Sequence, residues 1–169
     1  MHRGIALVGL LTAILVFVAD QASKWWILHG LNLPEIGQVV ILPVLNFTMV
    51  WNRGVTFGLL TGNSTLAHLA LAVFAVAVVA VLGLWVLRTN RLAIALPVGA
   101  IAGGALGNVA DRLHYGAVVD FIQAHAFGYS WYVFNLADAA IVCGVAALVI
   151  DNLLPARPSS AATRAKHRG

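Results

Sequence analysis

Four apolar segments, each about 20 residues long, dominate this chain. They run from Ile5 to about Leu28, Leu66 to Leu87, Leu92 to about Asp111, and Phe134 to Leu154. A helix needs about 20 apolar residues to cross a bilayer. Hydrophobic residues make up 61% of the 169 residues and charged residues only 9%, whereas a soluble domain has about 25% charged residues. The sequence therefore predicts an all-α integral membrane protein with four transmembrane helices.

The basic residues flank the segments at one side of the predicted membrane. Arg3 precedes the first segment, Arg88 and Arg91 lie in the short turn between the second and third, and several more occupy the tail, residues 155–169. Short loops rich in Lys and Arg mark the cytoplasmic side. We therefore expect both termini in the cytoplasm and a disordered basic tail near anionic lipid. Because the basic residues lie where they would orient the helices in the membrane, the net charge of +4 does not indicate nucleic-acid binding. We expect no nucleic-acid partner.

The first apolar run is not followed by a small-x-small cleavage site, so we expect it to be retained as a helix. Residues 29–65, the long outer connection, are rich in β-branched and aromatic residues between Val39 and Trp51. This composition favours short strands. We predict one membrane-embedded domain, residues 1–154, with a small β-rich extracytoplasmic cap.

The third segment carries Gly99, Gly103 and Gly107 at four-residue spacing. Small residues at this spacing allow helix backbones to approach closely in lipid. The pattern predicts that the third helix lies centrally among its neighbours, although it also suits a dimer, so the oligomeric state is left open.

Polar residues interrupt each of three segments near its outer end only. A charged residue near the centre of a membrane helix costs at least about 2.5 to 3.5 kcal/mol on insertion scales, so such residues are candidates for function. They are Asp20 and Lys24 in the first segment, Asn108, Asp111 and Arg112 in the third, and Asn135 and Asp138 in the fourth, with Asp120 in the connecting loop.

Two of the acids have basic neighbours in the sequence. Asp20 and Lys24 are spaced i, i+4, which favours an ion pair, and Asp111 directly precedes Arg112. Because charges inside a membrane usually pair, we expect structural roles for these groups.

Asp120 and Asp138 have no such neighbour. Asp138 follows Asn135 by three residues, so both lie on one face of a first helical turn. Two carboxylates that share a site do not both ionise cheaply, so one holds a proton while the other accepts one. Such a pair activates water and protonates a leaving amine. The alternative is that Asp138 only caps its helix and Asp120 is an ordinary loop acid, and spacing alone leaves both open.

Five blocks together resemble the lipoprotein signal peptidases, also called signal peptidase II, the membrane aspartyl proteases of bacteria. The blocks are Asp20-Gln21-Ala22-Ser23-Lys24, Asn52-Arg53-Gly54 with Phe57, Gly107-Asn108-Val109-Ala110-Asp111-Arg112, Val119-Asp120-Phe121, and Phe134-Asn135-Leu136-Ala137-Asp138. The resemblance covers about residues 5 to 154. It departs from the family pattern after Gly54, where this chain has Val55, Thr56 and Gly58 around the phenylalanine.

The resemblance implies that Asp120 and Asp138 are the catalytic aspartates. They would hold the attacking water while the signal peptide of a lipid-modified prolipoprotein is cut before its diacylglyceryl-cysteine. It further implies a bacterial cytoplasmic membrane enzyme whose site faces the extracytoplasmic side, with membrane lipids around it and without a cofactor or metal. By the same resemblance, substrate is positioned by Asn52, Gly54, Asn108, Arg112 and Asn135, and support comes from Asp20, Lys24 and Asp111.

Three other classes of protein compete with this interpretation. An ion-coupled transporter would use Asp20, Lys24 and Asp111 as a relay, but the polar residues lie at one end of the segments. A metalloprotease would use His114 and His125, but the chain lacks an H-E-x-x-H pattern. A serine protease would need a histidine and acid setting around Ser23, Ser64 or Ser130, and none is recognisable in the sequence.

Overall fold

The computed structural model describes residues 2–54 and 65–154, and four long helices account for most of them. Helix α1, His2–Trp25, continues as a π-helix over Trp26–Gly30; the other three are α3, Thr65–Arg88, α4, Leu92–Tyr115, and α5, Leu136–Leu153. All four are long and apolar enough to cross a membrane. A 24-residue helix spans about 36 Å, which covers the ~30 Å hydrocarbon core. The predicted four-helix membrane fold is confirmed.

Helix α4 lies at the centre of the bundle. Half of its most apolar window is buried, against 11% in each of the other three helices. A methyl group at Gly99 or Gly103 would overlap backbone carbonyl oxygens of α1, at Gly9 and Ala13 respectively. The glycine row predicted to give close packing therefore does so within one chain, against α1.

A four-stranded antiparallel sheet forms the cap over one end of the bundle. A short helix, α2, Leu33–Ile36, leads into the strands. The sheet order is β1, Gln38–Leu42, then β2, Leu45–Asn52, then β3, Val118–Ala126, and finally β4, Tyr129–Ser130. The apolar core beneath the sheet joins the end of α1 to β3 through the fully buried Ile27, Leu33 and Val119. This contact fixes the sheet against the end of the bundle that carries the polar residues.

The second outer connection contributes half of the sheet, which the sequence interpretation missed. Asp120 was expected in a loop, but it lies in β3, opposite Val50 of β2, and Val118 lies opposite Asn52. Backbone pairing with β2 makes this segment a strand although it lacks regular alternation of apolar and polar residues.

Helix α4 also continues to Tyr115, four residues past its expected end. The predicted basic tail and the departure at Val55, Thr56 and Gly58, with Phe57, lie outside the described residues.

Candidate active site

Asp120 is buried where β3 meets the N-terminal end of α5. Only 1% of the residue is exposed, and both of its carboxylate oxygens accept side-chain amide hydrogen bonds. Asn52 at the end of β2 donates from Nδ2 to Oδ2 over 2.8 Å, and Asn135 donates from Nδ2 to Oδ1 over 2.7 Å. Each oxygen keeps a second lone pair for a proton or for water.

Burial governs the protonation of Asp120. Loss of solvent raises the pKa of its carboxyl from 3.8 to about 6; the hydrogen bond from Asn52 opposes this rise, and the nearby charge of Asp138 adds to it. The group therefore exchanges its proton near neutral pH, as a general acid or base must do.

Asp138 lies in the first turn of α5 and forms a capping box with Asn135. The Asn135 Oδ1 atom accepts from the Asp138 backbone N–H at 2.9 Å, and Asp138 Oδ2 accepts from the Asn135 backbone N–H at 3.3 Å. The remaining oxygen, Oδ1, accepts from Nδ2 of Asn108 at 2.8 Å. The capping role weighed as an alternative is thus real, and it coexists with a direct link to α4.

Two side-chain amides connect the two carboxylates. Asn135 Nδ2 donates to Asn108 Oδ1 over 3.1 Å, besides its bond to Asp120. A continuous chain of hydrogen bonds therefore runs from Asp120 through Asn135 and Asn108 to Asp138. We call this chain the amide bridge. Residues from β3, α4 and α5 meet in it, although up to 30 positions separate them in sequence.

Lys24 lies beneath the amide bridge, in the buried interior. Its ammonium contacts Asp20 Oδ2 at 2.8 Å and Asp111 Oδ2 at 2.7 Å. The expected Asp20–Lys24 pair is present. The expected pairing of Asp111 with Arg112 is not among the ion pairs of the described residues, because adjacent residues on a helix point in different directions.

Arg112 and Gly54 border the site on the side of the cap. The Arg112 Nη1 atom donates to the backbone oxygen of Asn108 at 3.2 Å, and within the described ranges its buried Nε has no hydrogen-bond partner. Gly54 donates its backbone N–H to Asn52 Oδ1 at 2.9 Å and has φ +82°. A side chain is strained at this φ.

Gln21 is a site residue to which the sequence analysis assigned no role. Its amide nitrogen contacts Asp111 Oδ1 at 3.0 Å and Asp20 Oδ2 at 3.2 Å. The sequence could have indicated Gln21, because it is an amide side chain beside an acid in an apolar helix. The same pattern indicated Asn108 and Asn135.

Both histidines of the competing metalloprotease interpretation lie in the described part of the chain. His114 packs against the neighbouring Tyr115 ring, and His125 lies five residues along β3 from Asp120, about 16 Å at the rise of a strand. Across residues 2–54 and 65–154, no three His, Cys, Asp or Glu side chains are grouped to hold a metal ion.

Comparison with known proteins places this geometry in a family context. The family model described as "Signal peptidase (SPase) II" matches residues 12–154. A "Lipoprotein signal peptidase" of Methylobacterium sp. (strain 4-46) is 44% identical over 158 residues, which cover 94% of this chain and 96% of that protein. A protein of the same name from Rhodopseudomonas palustris (strain ATCC BAA-98 / CGA009) is 41% identical over 150 residues, 86% of this chain and 92% of that one.

A solved structure is similar as well. It is described as a bacterial membrane enzyme determined by the in meso method at 1.9 Å resolution. The TM-score is 0.75 at 30% sequence identity, and the match covers 86% of this chain and 92% of the other.

Proposed function

The chain belongs to the signal peptidase II family of membrane lipoprotein signal peptidases, and from this premise we propose that it cuts lipid-modified prolipoproteins before the diacylglyceryl-cysteine by an aspartyl mechanism. The amide bridge is the observation that supports this most directly, since it holds Asp120 and Asp138 in one polar site at the end of the bundle. The products are the released signal peptide and a lipoprotein with a new N-terminal cysteine.

Asp120 and Asp138 divide the acid and base roles. Asp120, with its pKa raised to about 6 by burial, is assigned the acid role: in its protonated form it donates a proton toward the scissile carbonyl oxygen. Asp138, in the first turn of α5, is assigned the base role. It accepts a proton from water as the water oxygen bonds to the carbonyl carbon.

Collapse of the tetrahedral intermediate completes the cut. The C–N bond breaks, the proton held by Asp138 passes to the leaving amine, and Asp120 recovers its proton from the gem-diol as the carboxyl product forms. Asp120 has then regained its proton and Asp138 has passed on the one taken from water, so the enzyme is ready for a second turnover without a cofactor.

Arg112, Asn52 and Gly54 are assigned to the substrate backbone. The buried Arg112 Nε has no partner among the described residues, and we assign this donor to a carbonyl oxygen of the bound peptide. Asn52 holds both Asp120 and the Gly54 N–H, which couples the edge of the cap to the acid. Asn108 and Asn135 orient the two carboxylates through the amide bridge.

We assign the enzyme to the bacterial cytoplasmic membrane, with both termini inside and the site near the outer face. Arg88 and Arg91 flank the turn between α3 and α4, at the opposite end of the bundle from the sheet, and basic turns mark the cytoplasmic side. A substrate anchored by its acyl chains presents its scissile bond near that outer surface, at the level of Asp120 and Asp138. Membrane lipids surround the apolar faces.

Cleavage of a diacylglyceryl-modified prolipoprotein tests the function. Gel shift and mass spectrometry would compare the wild type with Asp120→Asn and Asp138→Asn, and Asp151→Asn, in an exposed ion pair at the other end of α5, is the matched control. We expect cutting before the lipidated cysteine by the wild type and the control, with loss in both site variants. Absence of cutting by folded wild type would refute the proposed function; full activity of either site variant would refute the mechanism.

A further inference from the structure

The ammonium of Lys24 has three polar contacts, all of them inside the protein. It donates hydrogen bonds to Asp20 Oδ2 at 2.8 Å and to Asn108 Oδ1 at 3.1 Å, and it forms an ion pair with Asp111 Oδ2 at 2.7 Å. An ammonium has three donors, and this side chain is only 3% exposed. Lys24 is therefore shielded from a substrate by burial and acts on the reaction through its neighbours.

Each carboxylate bound by Lys24 also accepts a hydrogen bond from one backbone N–H. Both of these N–H groups lie next to a carboxylate of the site. Asp20 Oδ1 accepts from Ala137 N at 2.9 Å, and Asp111 Oδ2 accepts from Val119 N at 3.0 Å. Ala137 directly precedes Asp138, and Val119 directly precedes Asp120. One ion-pair group thus holds the main chain immediately before both carboxylates of the site.

We propose that Asp20, Lys24 and Asp111 form a positioning triad that sets the separation of Asp120 and Asp138 for the proposed peptidase reaction. The inference rests on that proposed function. Asp20 connects α1 to the first turn of α5, Asp111 connects α4 to β3, and Lys24 joins these two connections. Without the triad, the sheet and the N-terminus of α5 lose a polar anchor that they share at the main chain before Asp120 and Asp138.

The contact of Lys24 with Asn108 adds a second constraint. An ammonium beside Oδ1 fixes the orientation of the Asn108 amide, so its Nδ2 faces Asp138. The reversed amide would direct its own oxygen at the carboxylate and its NH₂ group at a cation, and both contacts are unfavourable. The triad therefore also determines which atom the amide bridge presents to Asp138.

Kinetics per folded molecule separate positioning from simple structural support. Asp20→Asn perturbs the link to Asp138, and Asp111→Asn perturbs the link to Asp120, while each keeps the shape of the side chain. Asp151→Asn makes the same chemical change in the exposed Arg91–Asp151 pair. The full chain would be purified in lipid nanodiscs, and kcat and KM measured on the lipid-modified precursor.

We expect Asp20→Asn and Asp111→Asn to lower kcat about 10²-fold, the size of effect that a misplacement of about 1 Å produces, with KM within about threefold of the wild type. The Asp151→Asn control should match the wild type. Unchanged kcat with reduced folded yield would overturn the positioning role, as would a change confined to KM.

A charge-conserving variant keeps the test decisive if the asparagine variants do not fold. Asp111→Glu retains the charge that pairs with Lys24 but moves the carboxylate by one methylene, so we expect a folded protein with kcat reduced at least about tenfold. Folded Asp111→Glu with full kcat would overturn the triad while leaving the proposed function intact. Loss of cleavage in the wild type itself would instead refute the proposed function.

Discussion

Asn108 and Asn135 share a 3.1 Å hydrogen bond between their side-chain amides, and each amide donates to a different carboxylate of the site. The two acids therefore have fixed donors before any substrate arrives. Preorganised donors of this kind need no rearrangement during the reaction, which is how enzymes lower barriers electrostatically.

Asn135 combines helix capping with site geometry, and two substitutions separate these roles. Asn135→Ser keeps an N-cap acceptor, whereas Asn135→Ala loses it and should destabilise the fold by about 1 kcal/mol more. Both remove the donor to Asp120 and should lower kcat about 10²-fold. Thermal melts and cleavage kinetics on the same samples check this. A serine variant with full activity would contradict the role assigned to the amide bridge.

The raised pKa of Asp120 predicts a pH-dependent contribution to stability. Below about pH 3.8 the carboxyl is protonated in the folded and the unfolded protein; as the pH rises toward about 6 only the folded state keeps its proton. The stabilisation is therefore lost as the pH rises through this window. Above it, the buried carboxylate costs about 3 kcal/mol at 1.36 kcal/mol per pKa unit.

Substitution of Asp120 by Asn removes this titration. Melting temperatures would be measured from pH 4.5 to pH 8. The melting temperature of Asp120→Asn, relative to that of the wild type at the same pH, should rise up to about pH 6 and then stay constant. Loss of one hydrogen-bond acceptor shifts the whole curve without altering its slope. Asp151→Asn supplies the baseline. A difference between variant and wild type that is independent of pH would contradict the raised pKa.

Gly107 is required because Asp20 lies against it. A methyl group at this position would overlap Asp20 Oδ2, the oxygen that binds Lys24. Gly107→Ala should therefore destabilise the protein by about 1 to 3 kcal/mol through overpacking and reduce cleavage. The matched control is Gly83→Ala in α3, where a methyl meets no atom of another described segment within 4 Å. Equal melting temperatures for the two variants would argue against the close contact.

The proposed orientation predicts which introduced cysteines react from outside. In a Cys143→Ala background, Phe127→Cys lies at a fully exposed position between β3 and β4, and Arg88→Cys lies at the opposite end of the bundle. A membrane-impermeant maleimide should label the first in intact cells and the second only after permeabilisation. The reverse labelling pattern would show that the protein has the opposite orientation in the membrane.

Sequence patterns predicted the helices because the physics behind them is local. An apolar run of about 20 residues satisfies its own backbone hydrogen bonds as a helix in lipid, and no other part of the chain is needed for that. The i, i+4 spacing of Asp20 and Lys24 likewise predicted their ion pair. The resemblance to signal peptidase II rests on short blocks that a sequence displays directly.

Contacts between distant segments needed the tertiary structure. Asp120 lies in a strand because β2 supplies backbone partners, with Val50, 70 positions earlier, opposite it. Asp111 pairs with Lys24 because α4 packs against α1 through its glycines. The links from Asp20 to Ala137 and from Asp111 to Val119 join residues that no local pattern relates.

The sequence alone thus determined that the chain spans a membrane with four helices, that its polar residues gather at one end, and which family it resembles. Which polar atoms meet in the amide bridge and in the positioning triad depends on the packing of helices and strands that are distant in sequence. The physical reason is range: burial and helix periodicity are properties of neighbouring residues, whereas a hydrogen bond between side chains depends on how whole elements pack.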